Sequence, residues 1–418
     1  MFRRLSPPAV YITREAESDE RCARRVERML GAIDCDHIER GVTDERLAEI
    51  VQESGWQQPF RWGQQAAPRD PAIVFNTCKN DHSPEERERR LEQFPALRFA
   101  RLSGYGGFDF RSDGSPAYRE REGRICQSAW EFHTIWGCPF RCAYCWFGAV
   151  LNVMVDIEAF LEHADRRIRE LDPPQTIYKW DNGTDINCFE PEYDATRLMV
   201  DYFARQERNR LLLYTGKSDH VDFMLDYPHG GHTIIQWSLS GRTQSTVLEP
   251  ETAPWNRRVE AAAKCQAAGY PIRFRFSPII PVRGWREENR ELIELIFATT
   301  RPDIMVLCML GWMDYDVAAA CVDMSLLDEQ MVRAMEGTAP FLKGRRYGPL
   351  PHDARAEIYR FLFDEIRRVS PNTPVTLCLE TPAMWAEFGR RPPQVGASYP
   401  CVCGPYCTPG HPKFLPTA

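Results

Sequence analysis

Cys138, Cys142 and Cys145 stand at Cys-x3-Cys-x2-Cys spacing in Trp136-Gly-Cys-Pro-Phe-Arg-Cys-Ala-Tyr-Cys-Trp146. Three thiolates on one loop can each reach a different iron of a [4Fe-4S] cluster and leave the fourth iron without a protein ligand. An open iron can chelate the amino and carboxylate groups of S-adenosylmethionine. One electron from the reduced cluster then cleaves the S–C5′ bond and yields a 5′-deoxyadenosyl radical. Zinc is the rival reading, but structural zinc takes four closed ligands, and no nearby Cys or His offers a fourth. His133, on the preceding strand, is expected to pack or bond locally.

A second thiol group lies in the Pro/Gly-rich tail: Cys401, Cys403 and Cys407, with Cys378 upstream. Four soft ligands there could bind an auxiliary iron–sulfur cluster; zinc in the same thiols, or a loose tail with no metal, are the alternatives. His411 is a weaker candidate ligand. Cys22, Cys35, Cys78, Cys126, Cys265, Cys308 and Cys321 read as small buried hydrophobes.

The elements that must position these groups follow from hydrophobic rhythm. The 418 residues suggest two to three domains. A strand at 8–13, a helix at 17–31 and a second strand at 38–39 predict a small N-terminal α/β lobe. From 56 to 123 the chain reads as irregular around a strand at 72–75. Thereafter β-rich runs at 132–136, 176–180, 211–214, 233–237, 272–276 and 304–308 alternate with helical patterns near 156–170, 192–205, 256–268 and 287–299, and a shorter one at 218–226. Such alternation implies right-handed βαβ units and a parallel sheet. The expected fold is α/β: a partial parallel (β/α)6-type barrel over 126–310, behind the lobe and linker of 1–125 and ahead of a Cys-rich extension over 311–418. That extension is predicted to hold a helix at 354–368 and a strand at 375–379. No internal repeat is visible. In parallel barrels the chemistry gathers at the C-terminal strand ends, and Cys138 follows the first barrel run.

The formal net charge of −7 argues against a surface built chiefly to bind polyphosphate. The 15 cysteines are too few for a disulfide scaffold and suit a reducing compartment. No apolar run approaches the roughly 18 residues of a membrane span, and the N-terminus lacks the apolar stretch of a secretory signal, so a cytoplasmic protein without a membrane partner is expected.

The chain resembles the radical S-adenosylmethionine superfamily and, within it, the spore photoproduct lyase-like group, over about residues 8 to 290. The segments that carry the likeness beyond the cysteines are Val10-Tyr-Ile12, Lys217-Ser-Asp-His-Val-Asp222, Trp237-Ser-Leu239, Glu249-Pro250, Arg258-Val-Glu-Ala-Ala262, Ala268-Gly-Tyr-Pro271, Ser277-Pro-Ile279 and Gly284-Trp285. The resemblance implies that Thr184, Lys217 and Ser238 hold S-adenosylmethionine, and that Tyr144 and Trp146 offer backbone and aromatic surface to its adenine. It fails in two places, the added Cys-rich tail at 399–410 and one position of the barrel. Lyases of the group carry a thiol close before the aspartate matched by Asp185, which returns a hydrogen atom to the substrate radical; here that position is Asn182, and Cys188 is displaced toward the next helix.

From this follows the expectation of a radical enzyme that modifies a small molecule or peptide. It would be served by a one-electron reductant such as flavodoxin or ferredoxin, with an auxiliary cluster in reserve. A photoproduct lyase acting on nucleic acid is the alternative, with Arg257, Arg258, Arg273, Arg275 and Arg283 as a phosphate track unless they pair with Glu260, Glu287 and Glu288. A zinc-stabilised binding protein is the non-enzymatic alternative.

Overall fold

Largely apolar strands buried along their whole length belong in parallel sheets covered on both faces, and those of this chain do. The computed structural model describes residues 1–56, 70–147, 150–389 and 392–411. Its strands are β1 (Val10–Thr13), β2 (Ile38–Val42), β3 (Ala72–Asn76), β4 (Phe108–Arg111), β5 (Ala129–Phe132), β6 (Ile135–Trp136), β7 (Val150–Met154), β8 (Ile177–Trp180), β9 (Arg210–Gly216), β10 (Thr233–Leu239), β11 (Ile272–Ile279), β12 (Met305–Met309) and β13 (Val375–Leu377). β3, β7, β8, β10 and β12 are buried throughout.

Two sheets form. The first has the order β2-β1-β3-β7-β6, parallel except for β6. The second has the order β13-β12-β11-β10-β9-β8-β5-β4, parallel except for β4. The protein is therefore a mixed α/β fold built on parallel sheets. Helices Ile157–Leu171, Ala195–Ala204, Trp255–Ala267, Trp285–Thr299 and His352–Val369 make the crossovers, close to their sequence positions. The stretch 218–226 holds only a 3₁₀ turn at Asp222–Met224. Among the described residues no helix is long and apolar enough to cross a membrane.

The run 132–136 is not one strand. Phe132 pairs with Trp180 in the large sheet, whereas Ile135 and Trp136 pair antiparallel with Val153 and Asn152 of the small one. Between them Asp181 takes the Thr134 N–H at 2.9 Å and the His133 ring at 2.7 Å, which redirects the chain. β6 and β7 thus complete the sheet of the N-terminal strands.

The expected irregular stretch holds more structure than its composition suggests. Helix Pro84–Gln93 begins at a capping box of Ser83 and Glu86 but buries none of its residues, so it lacks an apolar stripe to read. Helix Pro116–Glu122 is capped by Ser115 and ends at Gly123.

The tail through His411 is ordered against the N-terminal edge of the large sheet. Thr176 and Ile177 donate backbone N–H groups to the Pro405 carbonyl at 2.8 and 3.0 Å, and Arg273 donates to Val402 O at 2.8 Å and Cys407 O at 2.5 Å. Cys403 packs on Ile177, Leu212 and Ile234.

Candidate active site

The cysteine loop begins where only glycine fits: Gly137 has φ 109°, and a Cβ there would lie 2.1 Å from the Val150 carbonyl oxygen. The loop is then tied down from two sides. Ala143 N–H donates to Leu248 O at 2.9 Å, and the Trp312 indole donates to Tyr144 O at 3.2 Å. Cys138, Cys142 and Cys145 all line one cavity of about 500 Å³, together with Tyr144, Trp146, Thr184, Lys217 and Ser238. The structure therefore brings all eight residues of the first predicted site to one place.

Glu249 is the hub behind that cavity. It is wholly buried and accepts from Tyr144 Oη at 2.6 Å, Arg258 Nη2 at 2.8 Å, Lys217 Nζ at 3.0 Å, Ser240 Oγ at 3.0 Å and Gln244 Nε2 at 3.0 Å. Burial alone would raise its pKa, but Lys217 and Arg258 more than offset this and hold it at about 2. Sequence reasoning gave Glu249 no role, because its partners come from several separate segments. It also qualifies Lys217, whose ammonium is already engaged by Glu249 and by Ser277 O at 3.3 Å.

Asp185 behaves differently. Its Oδ2 accepts from the Lys217 and Ser218 N–H groups at 2.6 and 2.9 Å, an approach that a Cβ on Gly216 would close to 2.8 Å. Burial outweighs those donors and pushes Asp185 up to about 7. Tyr144 is buried and locked by its hydroxyl, whereas Trp146 is 41% exposed at the cavity.

Whether the site suits the cluster and the sulfonium can be judged from its unpaired groups. Thr184 Oγ1, Asp185 Oδ1 and Arg275 Nε are buried without a hydrogen-bond partner, and all three residues line the cavity. Such atoms need a ligand to satisfy them. Among the described residues no three or more His, Cys, Asp or Glu side chains surround the place of one metal ion, on this loop or in the tail. A four-iron cluster asks for something else, three thiols of one loop facing a shared space, and that is present. The residues fit an iron–sulfur cluster with S-adenosylmethionine. His133 is held by Asp181, as a local packing role requires.

The tail thiols are placed otherwise. Cys401 and Cys403 are neighbours at 3.8 Å between sulfurs, but Cys407 donates to Tyr399 O at 3.3 Å. Cys378 lies beside Cys308, with Arg275 Nη2 3.4 and 3.6 Å from their sulfurs. Cys378 also interacts electrostatically with Cys401 and Cys403, and the thiol beside it, Cys308, reads in the sequence as an ordinary core thiol.

The arginine track is not continuous. Arg258 and Arg273 are buried on Glu249 and Asp303, Arg257 pairs with Asp219 and Glu260, Arg283 with Glu329, and only Arg275 reaches the cavity. Asn182 also lines the cavity, whereas Cys188 packs in the core; among the described lining residues the cysteines are the three of the loop.

Residues 128–306 match the family model described as spore photoproduct lyase. The chain is 30% identical over 174 residues to the spore photoproduct lyase of Bacillus subtilis (strain 168), covering 40% of this chain and 51% of that protein. It is 23% identical over 184 residues to that of Clostridium acetobutylicum, covering 42% and 54%. The chain thus spans about half the length of the curated relatives it matches. Among solved structures, spore photoproduct lyase complexed with dinucleoside spore photoproduct superposes with a TM-score of 0.60 at 18% identity, over 90% of this chain and 99% of that one. A double mutant of that enzyme with bound AdoMet and dinucleoside spore photoproduct gives the same TM-score, 0.60, at 18% identity over the same shares.

Proposed function

We propose that this chain, a spore photoproduct lyase-like protein of the radical S-adenosylmethionine superfamily, is a radical enzyme that reverses a nucleic-acid photoproduct. The large sheet, in this reading, curls into a six-strand partial barrel whose C-terminal strand ends carry the reaction. The supporting observation is the single cavity that joins three thiols of one loop to the unpaired Thr184, Asp185 and Arg275. The curated relatives and the complexes with dinucleoside spore photoproduct support a nucleic-acid lesion as substrate over the small molecule or peptide expected from the sequence.

The group implied at Cys138, Cys142 and Cys145 is a [4Fe-4S] cluster, which when bound and reduced by a flavodoxin- or ferredoxin-type donor supplies the electron that cleaves S-adenosylmethionine. Thr184 and Ser238 offer hydroxyls to the ribose and amino acid portions. Lys217, fixed by Glu249, presents positive charge at the cavity wall and orients the turn whose N–H groups hold Asp185. Tyr144, Trp146 and Trp312 supply aromatic walls for adenine and for the substrate's bases, and their bulk keeps water from the radical. One cluster suffices for this reading, because cleavage of the cofactor needs only the loop thiols.

Asn182 favours a second reading, tailoring of another substrate, because no thiol stands there to return a hydrogen atom. The experiment that separates the two is anaerobic incubation of reconstituted protein with reductant, S-adenosylmethionine and a dithymidine photoproduct. The expected outcome is restoration of thymines that requires S-adenosylmethionine and reductant and is abolished in Cys142→Ala. Cofactor cleavage with the photoproduct left intact overturns the nucleic-acid reading.

A further inference from the structure

Away from the cysteine loop the cavity is lined by Arg121, Arg124 and Arg346, and all three converge on one carboxylate. Glu122 accepts from Arg121 Nε at 2.8 Å and from Arg124 Nη2 at 3.1 Å, and forms an ion pair with Arg346 Nε at 3.0 Å. It is 6% exposed, and although burial would raise its pKa, the three guanidinium groups hold it below the usual carboxylate range. One buried negative charge against three positive ones leaves an excess of two. Asp113, which also lines the cavity, is already paired with Arg111 at 3.1 Å.

Arg124 is the telling member. It is 4% exposed, with Nη1 on Gly311 O at 3.3 Å and Nη2 also on Tyr118 Oη at 3.4 Å, yet its Nε is buried with no partner. Arg124 thus keeps donor capacity beyond Glu122, Gly311 and Tyr118 in a wall with surplus positive charge, which suits an anion. The elements put it there deliberately. Glu122 ends its helix, Gly123 turns the chain at φ 65°, and Tyr347 packs so close that a Cβ on Gly123 would lie 3.1 Å from its ring, which brings Arg346 onto Glu122. These residues all lie outside the segment 128–306 matched by the family model.

We infer that Arg121, Arg124 and Arg346, positioned by Glu122, form a subsite for the phosphodiester that joins the two nucleosides of the substrate. The inference rests on the nucleic-acid reading above and makes it specific. The planar fork of arginine suits phosphate oxygens, and Trp312 in the same cavity offers an aromatic surface to a neighbouring base.

The test is calorimetric binding to reconstituted, S-adenosylmethionine-loaded protein of two probes: thymidylyl-thymidine and a formacetal-linked dithymidine that lacks the phosphate. Wild type is expected to prefer the phosphate-linked probe by about tenfold or more. Arg124→Ala and Arg346→Ala should each remove most of that preference and leave the neutral probe unaffected. The salt dependence of phosphate-linked binding should fall by about one charge in each variant. Arg346 is half exposed, so its substitution spares folding, and Arg124→Lys should restore the salt slope but only part of the affinity. Equal binding of the two probes by wild type, or undiminished discrimination in both alanine variants, overturns the subsite. If wild type still restores thymines in a formacetal-linked photoproduct, the nucleic-acid reading survives that result. If wild type cleaves the cofactor but binds neither probe and repairs neither photoproduct, that reading fails and the subsite with it.

Discussion

At the scale of single residues, the cavity separates groups that are finished from groups that wait for a ligand. Thr184 Oγ1 has no partner, so Thr184→Val should leave the thermal midpoint unchanged or slightly raised while weakening S-adenosylmethionine binding by about tenfold, roughly one hydrogen bond. Isothermal titration beside a melting curve checks both halves, and unchanged affinity would remove Thr184 from the cofactor site. Glu249 is the opposite case. Its folded pKa of about 2 lies below the ordinary glutamate value of 4.5, so its ionisation contributes stability that is complete above about pH 4.5 and lost as pH falls toward 2. The contribution is on the order of 3 kcal/mol. Lys217→Met removes one of its two cations, so the variant should be least stable relative to wild type at neutral pH, and the gap should narrow below about pH 4. Denaturant titrations at pH 7 and pH 3 measure that gap; a constant difference would mean Lys217 acts by packing alone. The three cysteines were legible because spacing on one loop is a local property. Glu249 and Arg124 were not, since their meaning depends on partners 32 and 187 positions away, Lys217 and Gly311.

Among the elements, legibility followed periodicity. The parallel strands and their crossover helices announce themselves as apolar runs and amphipathic stripes, whereas helix Pro84–Gln93 buries nothing and is betrayed only by Ser83 and Glu86. The run 132–136 misleads because its apolar rhythm continues through a change of sheet that depends on Asp181, distant in sequence. The tail's place against the large sheet is not legible in its composition. Its thiols suggest metal, but its carbonyls do the visible work, taking donors from Thr176, Ile177 and Arg273 while Val402 and Cys407 are fully buried. Truncation after Ser398 should therefore destabilise the protein by on the order of 5 kcal/mol, from several hydrogen bonds and two buried side chains. The individual substitution Cys407→Ser, which keeps a donor for Tyr399 O, should cost far less and should leave the iron content at about four per chain. Loss of iron in that variant would bring back an auxiliary cluster.

For the whole molecule, the net charge of −7 says little about what the cavity takes, because Arg121, Arg124, Arg275 and Arg346 gather in one place that no sum over the chain can reveal. The same non-locality governs folding. The family model spans 128–306, yet the strands of that segment are completed from both sides: β7 lies against β3, and β12 lies against β13. Side-chain and backbone ties cross the same borders. Arg25 is buried on Glu158 and on the carbonyls of Tyr193 and Val155, Ile125 N–H donates to Glu380 O at 2.9 Å, and Gln127 exchanges hydrogen bonds with Tyr399 at 3.1 and 3.2 Å. A fragment of residues 126–310 would expose β7 and β12 as bare, largely apolar edges, which favours aggregation over folding. The expected outcome is that this fragment lacks near-ultraviolet circular dichroism and is rapidly proteolysed, while the full chain resists protease and unfolds with the two sheets in one transition. A fragment that folds cooperatively and takes up iron on Cys138, Cys142 and Cys145 would show instead that the radical chemistry resides in a separable unit, with the N-terminal sheet and the tail as additions to it.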